Sequence, residues 1–352
     1  MSDISLAEPE ESALHYPLGS RVPGRAEVIE AAPGIYWART PLPFQLNHIN
    51  LWLIEEEHGW TLVDTGISSD EVRALWREML ATGLKGKPLT RLIVTHMHPD
   101  HVGLAGWMTR EFGIELHMSR TDFLMCRALA ADTGREVPPE ALDFYRAVGF
   151  SERAIEIYRT RFGNFGERIY RMPDIYRRLK EGDELEIGGR RWRVVIGSGH
   201  APEHVCLYCE EAKILISGDQ VLPRISSNVS VHPTEAYENP LQDWIDSCHR
   251  LRANLAGDTL VLPAHNEPFY GLHTRLTQLI EGHREGLERL HDLLAEPRRV
   301  TDVFPALFKR KIGPEVFFMA TGESLAHLNC LIGRGEAVVE RDANGINWYR
   351  RA

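Results

Sequence analysis

The 352-residue sequence has no run of eighteen apolar residues, so nothing in it reads as a membrane span. Cysteine is scarce, five in all and without framework spacing, which excludes a disulfide scaffold and predicts reduced thiols in a cytoplasmic protein. Cys206 and Cys209 form a C-x-x-C, but they lie in an apolar run whose strand periodicity sends them to opposite faces, which does not suit a redox or zinc-ribbon role. An excess of basic charge is missing too. Forty Lys and Arg against fifty Asp and Glu leave a net charge of -10, which argues against a general nucleic-acid surface. There is no internal repeat, no low-complexity run, and no elbow motif around a serine or cysteine nucleophile. The stretch Met1–Gly19 has neither the basic region nor the apolar core of a signal peptide, and residues 1–24 are expected to form a flexible tail.

What is present is an ordinary globular composition, 43% hydrophobic and 26% charged, in a chain long enough for about two domains. Histidine is sparse, 16 residues in 352, yet three histidines and an aspartate fall within the six residues His96-Met97-His98-Pro99-Asp100-His101. They follow the apolar run Leu92-Ile93-Val94, which reads as a buried strand, and precede a helix from Val102. His96 and His98 alternate like strand residues and can point to one side. Asp100 and His101 come after a proline that turns the chain, so they can face a second metal beside the first. Imidazole and carboxylate are the donor types of zinc and iron sites, and such sites need several donors converging from a rigid scaffold.

Three other strand ends carry the same donor types. Arg191–Ile196 delivers the glycine-flanked His200 in Gly199-His200-Ala201-Pro202-Glu203-His204; Lys213–Ser217 ends in Gly218-Asp219; Leu260–Ala264 ends in His265. A further acid, Asp64, closes the strand Trp60–Val63 before Thr65-Gly66. Between residues 119 and 180 the pattern is helical, rich in arginine and aromatics, and too long for a plain connection. We read it as an insertion over the histidine loop, with Tyr145, Tyr158, Phe162, Phe165, Tyr170 and Tyr176 as candidates to line a substrate pocket. His117 lies in a short strand and lacks a partner at metal spacing.

The His96–His101 stretch resembles the HxHxDH motif of the metallo-β-lactamase superfamily, and the later strand ends are similar to its G-H-x-P-x-H, S-G-D and P-x-H elements in the family's order, over residues of about 26 to 270. The resemblance implies an α/β fold, an αββα sandwich, here with a helical insertion at about 119–180. It implies two divalent metal ions, zinc by donor type with iron or manganese as alternatives. His96, His98 and His200 would hold one and Asp100, His101 and His265 the other, with Asp219 bridging. Asp100 and Asp219 would then be the catalytic acids, Asp64 would support the metals from behind, and His204 would be a support. The segment after Asp219 would lie beside the metals, making Arg224, Ser226, Ser227 and Asn228 candidates for substrate contact together with Tyr170 and Tyr176.

Residues 283–352 read differently from the rest: helices, then a hairpin across Asp342-Ala343-Asn344-Gly345, where Asn-Gly is a strong turn signal. That order resembles the winged-helix-like module of lactamase-like endoribonucleases, although its charges are nearly balanced and a packing or homodimerisation role suits it better. The expected domains are therefore a tail 1–24, a metallo-β-lactamase domain 25–282 and a winged-helix-like domain 283–352. The resemblance to the glyoxalase-II-like and lactonase-like branches implies a hydrolase that uses a metal-held hydroxide to cleave a small thioester, ester or lactone. An endoribonuclease or other phosphodiesterase is the alternative, followed by a β-lactamase and an oxygenase or flavodiiron-like redox domain. The expected partner is a small-molecule substrate, with nucleic acid the lesser alternative and no membrane.

Overall fold

The computed structural model describes residues 14–44 and 46–352; residues 1–13 of the expected tail lie outside the described residues. From Leu14 onward the chain is docked, with the His15 backbone paired to Tyr270. The first sheet has seven strands in sequence order: β1 Ile29–Ala32, β2 Ile35–Pro41, β3 His48–Glu55, β4 Trp60–Val63, β5 Leu89–Ile93, β6 Glu115–Ser119 and β7 Arg177–Leu179. Its first four strands run antiparallel as hairpins, and the last three are added in parallel through helical crossovers. The second sheet comprises β8 Glu184–Ile187, β9 Arg190–Gly197, β10 His204–Cys209, β11 Ile214–Gly218 and β12 Leu260–Pro263.

Three apolar layers follow from the side-chain alternation. Trp37, Trp52, Ile54 and Val63 of the first sheet meet Trp192, Val194, Val205 and Leu262 of the second, forming the core between the sheets. Helices Asp70–Thr82 and Ala105–Phe112 cover the outer face of the first sheet. Helices Pro240–Asn254 and Leu272–Leu293 cover the second. The result is the αββα layering. Cys206 belongs to the outer core and Cys209 to the inner one, so the C-x-x-C is split across a sheet, and all five cysteines are free and buried. Among the described residues, no helix is long and apolar enough to cross a membrane.

The insertion consists of helices Arg120–Ala131, Pro139–Ala147 and Glu152–Arg161, after which the chain returns to the first sheet as β7. The expected boundary at residues 282 and 283 falls within the single helix Leu272–Leu293. Beyond it come short helical turns, helix Phe317–Gly333, and the hairpin β13 Ala337–Arg341 with β14 Asn347–Arg351. This C-terminal module shares one continuous apolar core with the outer face of the second sheet. At one end of the sandwich the two sheets are joined by backbone hydrogen bonds, Val205 to Thr95 at 2.7 Å and Asn50 to Ala264 at 2.7 Å. The motif loops gather at that end.

Candidate metal centre

Each donor sits just past the last residue of a strand, where the backbone is fixed by the sheet and the side chain is free to turn inward. His96 follows β5 through Val94-Thr95, and His98 precedes the single turn Pro99–Val102 that carries Asp100 and His101. His200 follows β9, Asp219 follows β11, and His265 follows β12. Two glycines permit this crowding. A Cβ on Gly218, which has φ +51°, would lie 2.5 Å from the His204 ring; one on Gly199, with φ +97°, would lie 2.3 Å from Trp244. Both positions combine close approach with a left-handed backbone that side chains disfavour.

Two groups of donors result. His96, His98, His200 and Asp219 bring one donor atom each to within 4.8 Å of one another, and so do Asp100, His101 and His265. In the first group the ring nitrogens His96 Nε2, His98 Nδ1 and His200 Nε2 are mutually 2.9, 3.0 and 3.2 Å apart. Nitrogens bound tetrahedrally to one zinc ion stand about 3.3 Å apart, close to this spacing. Asp219 lies between the groups. Its Oδ2 is 3.3 Å from His200 Nε2 and 3.5 Å from His101 Nε2, while its Oδ1 is 3.3 Å from His265 Nε2.

In His96, His101, His200 and His265 the other ring nitrogen is tied back to oxygen, which fixes the tautomer. His200 Nδ1–H donates to the Asn228 carbonyl at 2.6 Å, and His265 Nδ1–H to the His48 carbonyl at 2.9 Å. His101 Nδ1–H donates to Asp64 at 2.8 Å. The Thr95 hydroxyl donates to Asp64 at 2.9 Å and accepts from His96 Nδ1–H at 3.0 Å. Asp64 reaches these partners from φ +64°, a backbone conformation that Asp tolerates better than most residues. His204 is buried and accepts the Asp219 backbone N–H at 3.0 Å, pinning the loop that presents Asp219.

The remaining buried atoms test whether a cation fits. His101 Nε2, His265 Nε2 and both carboxylate oxygens of Asp219 find no hydrogen-bond partner among the described residues. Leaving four such atoms buried and unpaired is costly, and they all face the same space. Burial, reinforced by the neighbouring histidines, pushes His96 well below the ordinary imidazole range, so its lone pair is free at neutral pH. Burial opposes charge on His101, but Asp64, Asp219 and Asp100 outweigh it and draw positive charge to that ring. Neutral imidazoles beside unpaired carboxylates are the donor set a divalent metal requires.

A cleft of about 820 Å³ opens onto this centre. Met97, His98 and His200 lie on its floor, and the insertion supplies Tyr145, Tyr158, Phe162 and Phe165 to its walls. Tyr170 and Tyr176 are not among its lining residues: Tyr170 lies under the guanidinium of Arg110 at 5.8 Å, and Tyr176 stacks on Phe123 at 3.8 Å. The expected substrate contacts after Asp219 do not line it either. Arg224 pairs with Glu267 at 3.0 Å, Ser226 faces His283 at 3.1 Å, Ser227 donates to the Asp219 carbonyl, and Asn228 donates to Glu323 at 2.9 Å. This segment passes between the donor loops and the C-terminal module, so its side chains face protein rather than the cleft.

Sequence reasoning missed Asp122. Its buried carboxylate accepts the backbone N–H of Met97 at 2.9 Å and of Glu203 at 2.8 Å, joining the His96–His101 loop to the His200 loop. The Ser119–Asp122 spacing marks a helix start, but nothing local signals two distant backbone partners. It also missed the carbonyls of Asn228 and His48, because a main-chain acceptor has no residue-type signature.

The family model described as the metallo-beta-lactamase superfamily matches residues 45–294, and that described as the metallo-beta-lactamase-like C-terminal domain matches residues 287–352. A solved structure of a beta-lactamase domain protein from Burkholderia ambifaria is 39% identical, with a TM-score of 0.89 over 97% of this chain and 99% of that one. A metallo-beta-lactamase family protein from Thermus thermophilus is 28% identical, with a TM-score of 0.75 over 92% of this chain and 100% of that one. The acyl-coenzyme A thioesterase MBLAC2 of Gallus gallus is 28% identical over 264 residues, 72% of this chain and 81% of that protein.

Proposed function

The chain belongs to the metallo-beta-lactamase superfamily and is a metal-dependent hydrolase, and from that premise we propose that it cleaves a small acyl thioester, ester or lactone at a pair of divalent cations, with zinc as the metal. The observation that carries this reading is the meeting of seven donor side chains, two of which, His98 and His200, line an aromatic-walled cleft. We assign His96, His98 and His200 to one cation and Asp100, His101 and His265 to the other, with Asp219 between them. Such a pair would acidify a water and polarise the scissile carbonyl. The chain's own part is to hold these donors rigid. Asp64, Thr95 and the carbonyls of Asn228 and His48 aim the lone pairs. Asp100, whose carboxyl stays below the usual range because His101 and His265 outweigh its burial, remains ionised, as a ligand to a cation must be.

The cleft favours an acyl group over a polyanion. Among the described residues, Asp132, Glu140, Glu235, Glu238 and Asp243 line it against one guanidinium, that of Arg161. Those charges oppose an RNA backbone, which weakens the phosphodiesterase reading. The named activity of the Gallus gallus relative supports a thioester as the first substrate to try. The test is a panel of acyl thioesters of increasing chain length, simple esters, lactones and single-stranded RNA, assayed with zinc-loaded protein and with His96→Ala. Metal-dependent cleavage of one or more acyl substrates, abolished in His96→Ala, is expected. A thioester of a short neutral thiol should be cleaved at least as well as its coenzyme A counterpart, because the acidic lining gives the nucleotide no attraction. Cleavage of RNA alone would overturn the reading.

A further inference from the structure

We propose that Glu323 of the C-terminal module, and the His283–His327 pair that joins helix Leu272–Leu293 to that module, are positioning residues for the metal centre, acting through the segment Ser226–Ser230. The inference rests on assigning His200 and Asp219 to the cations. The segment touches both: the Asn228 carbonyl orients His200, and the Ser227 hydroxyl donates to the Asp219 carbonyl. Its opposite side is held by helix Phe317–Gly333. Asn228 Nδ2–H donates to Glu323 Oε2 at 2.9 Å, while the Ser230 hydroxyl donates to Asn228 Oδ1 at 2.7 Å, so the Asn228 side chain is fixed at both ends. The Val231 N–H donates to the Gly322 carbonyl at 3.0 Å. A Cβ on Gly322 would come within 2.8 Å of the Ser230 side chain, so the helix backbone is pressed directly against the segment.

The histidine pair forms a second, directed tie. His327 Nδ1 lies 2.8 Å from the Glu323 carbonyl, an acceptor only, so that nitrogen carries the proton. Burial lowers both rings below the ordinary imidazole range, so each carries one proton. His327 Nε2 must then accept from His283 Nδ1–H at 3.2 Å, and His283 Nε2 must accept from the Ser226 hydroxyl at 3.1 Å. Every polar step from the C-terminal helix to the segment is thereby satisfied in one direction. Burial also pushes the Glu323 carboxyl up to about 8 against the Asn228 hydrogen bond. Such a group is a poor choice for stability alone, and it lies two hydrogen bonds from a candidate ligand.

The test compares Glu323→Leu, Glu323→Gln and His200→Ala in the full chain. Zinc affinity is measured by competition with a chromophoric chelator, the visible spectrum is recorded after cobalt substitution, and folding is checked by circular dichroism. Glu323→Leu should weaken binding of one cation about tenfold, the low end for groups that orient a ligating histidine, and shift the cobalt bands. Glu323→Gln keeps an oxygen for Asn228 and should restore both to within about twofold. Should Glu323→Leu fail to fold, Asn228→Ala takes its place with the same expectation, since it removes the tie and leaves the carbonyl. Wild-type affinity and spectrum in the folded variant, with His200→Ala impaired, would overturn the proposal while leaving the assigned centre standing. Wild-type binding by His200→Ala would instead remove the assignment on which it rests.

Discussion

The floor and the walls of the cleft are built by opposite means. The floor is made of strand ends: its donors other than the half-buried His98 are buried, the rings of His96, His101, His200 and His265 are each aimed by a hydrogen bond, and two glycines let backbones meet where no Cβ fits. The walls come from three helices of the insertion, whose aromatic residues pack on one another, as Tyr145 does on Tyr158 at 4.3 Å. Fixed geometry suits chemistry, which tolerates little misplacement, whereas broad apolar ring faces suit selection among acyl groups. Reactivity and selectivity should therefore respond to different substitutions.

The largest effect is expected at the floor. His96→Ala should cut turnover by more than the roughly 10–100-fold that losing an outer partner costs, and should reduce bound metal while leaving the far-ultraviolet circular dichroism unchanged. Full activity in that variant would erase the distinction between floor and wall. Asp64→Ala removes the acceptor of His101 Nδ1–H and should weaken one cation by about 10–100-fold, measured by chelator competition. At the walls, Phe162→Ala should raise KM for long acyl chains by about tenfold with kcat within about twofold, since an aromatic contact is worth about 0.5–1.5 kcal/mol. An equal loss in kcat would show that the walls also take part in the chemistry. The smallest effect concerns pH. Glu323 prefers its proton more strongly in the fold than in the unfolded chain, with its value raised to about 8. The stability it contributes is present in full below the ordinary carboxyl range and is lost as pH rises toward 8. The difference in Tm between the chain and Glu323→Gln should thus grow between pH 5 and about 8, as followed by thermal melts.

The same division governs what the sequence reveals. The donors were legible because imidazole and carboxylate at the ends of apolar runs leave few physical explanations, and each strand end could be read without the others. The aromatic residues of the insertion gave no such guide. Tyr158 lines the cleft and Tyr176 does not, yet both sit in similar aromatic and arginine-rich surroundings in the chain. The segment after Asp219 misled for a related reason. The segment passes beside the donor loops, but the side that faces them is set by a helix about a hundred residues downstream, and Asn228 meets His200 through its carbonyl.

Helix Leu272–Leu293 carries a further consequence. Leu276, Leu279, Ile280, Leu287 and Leu290 form one buried stripe along it, packed against the second sheet at one end and against the C-terminal module at the other. Cutting the gene at the apparent seam would shear this rod midway and leave a wet apolar edge on each fragment. The two matched segments are thus expected to be inherited, expressed and unfolded as a single cooperative body, and shuffling one without the other should yield aggregates rather than modules.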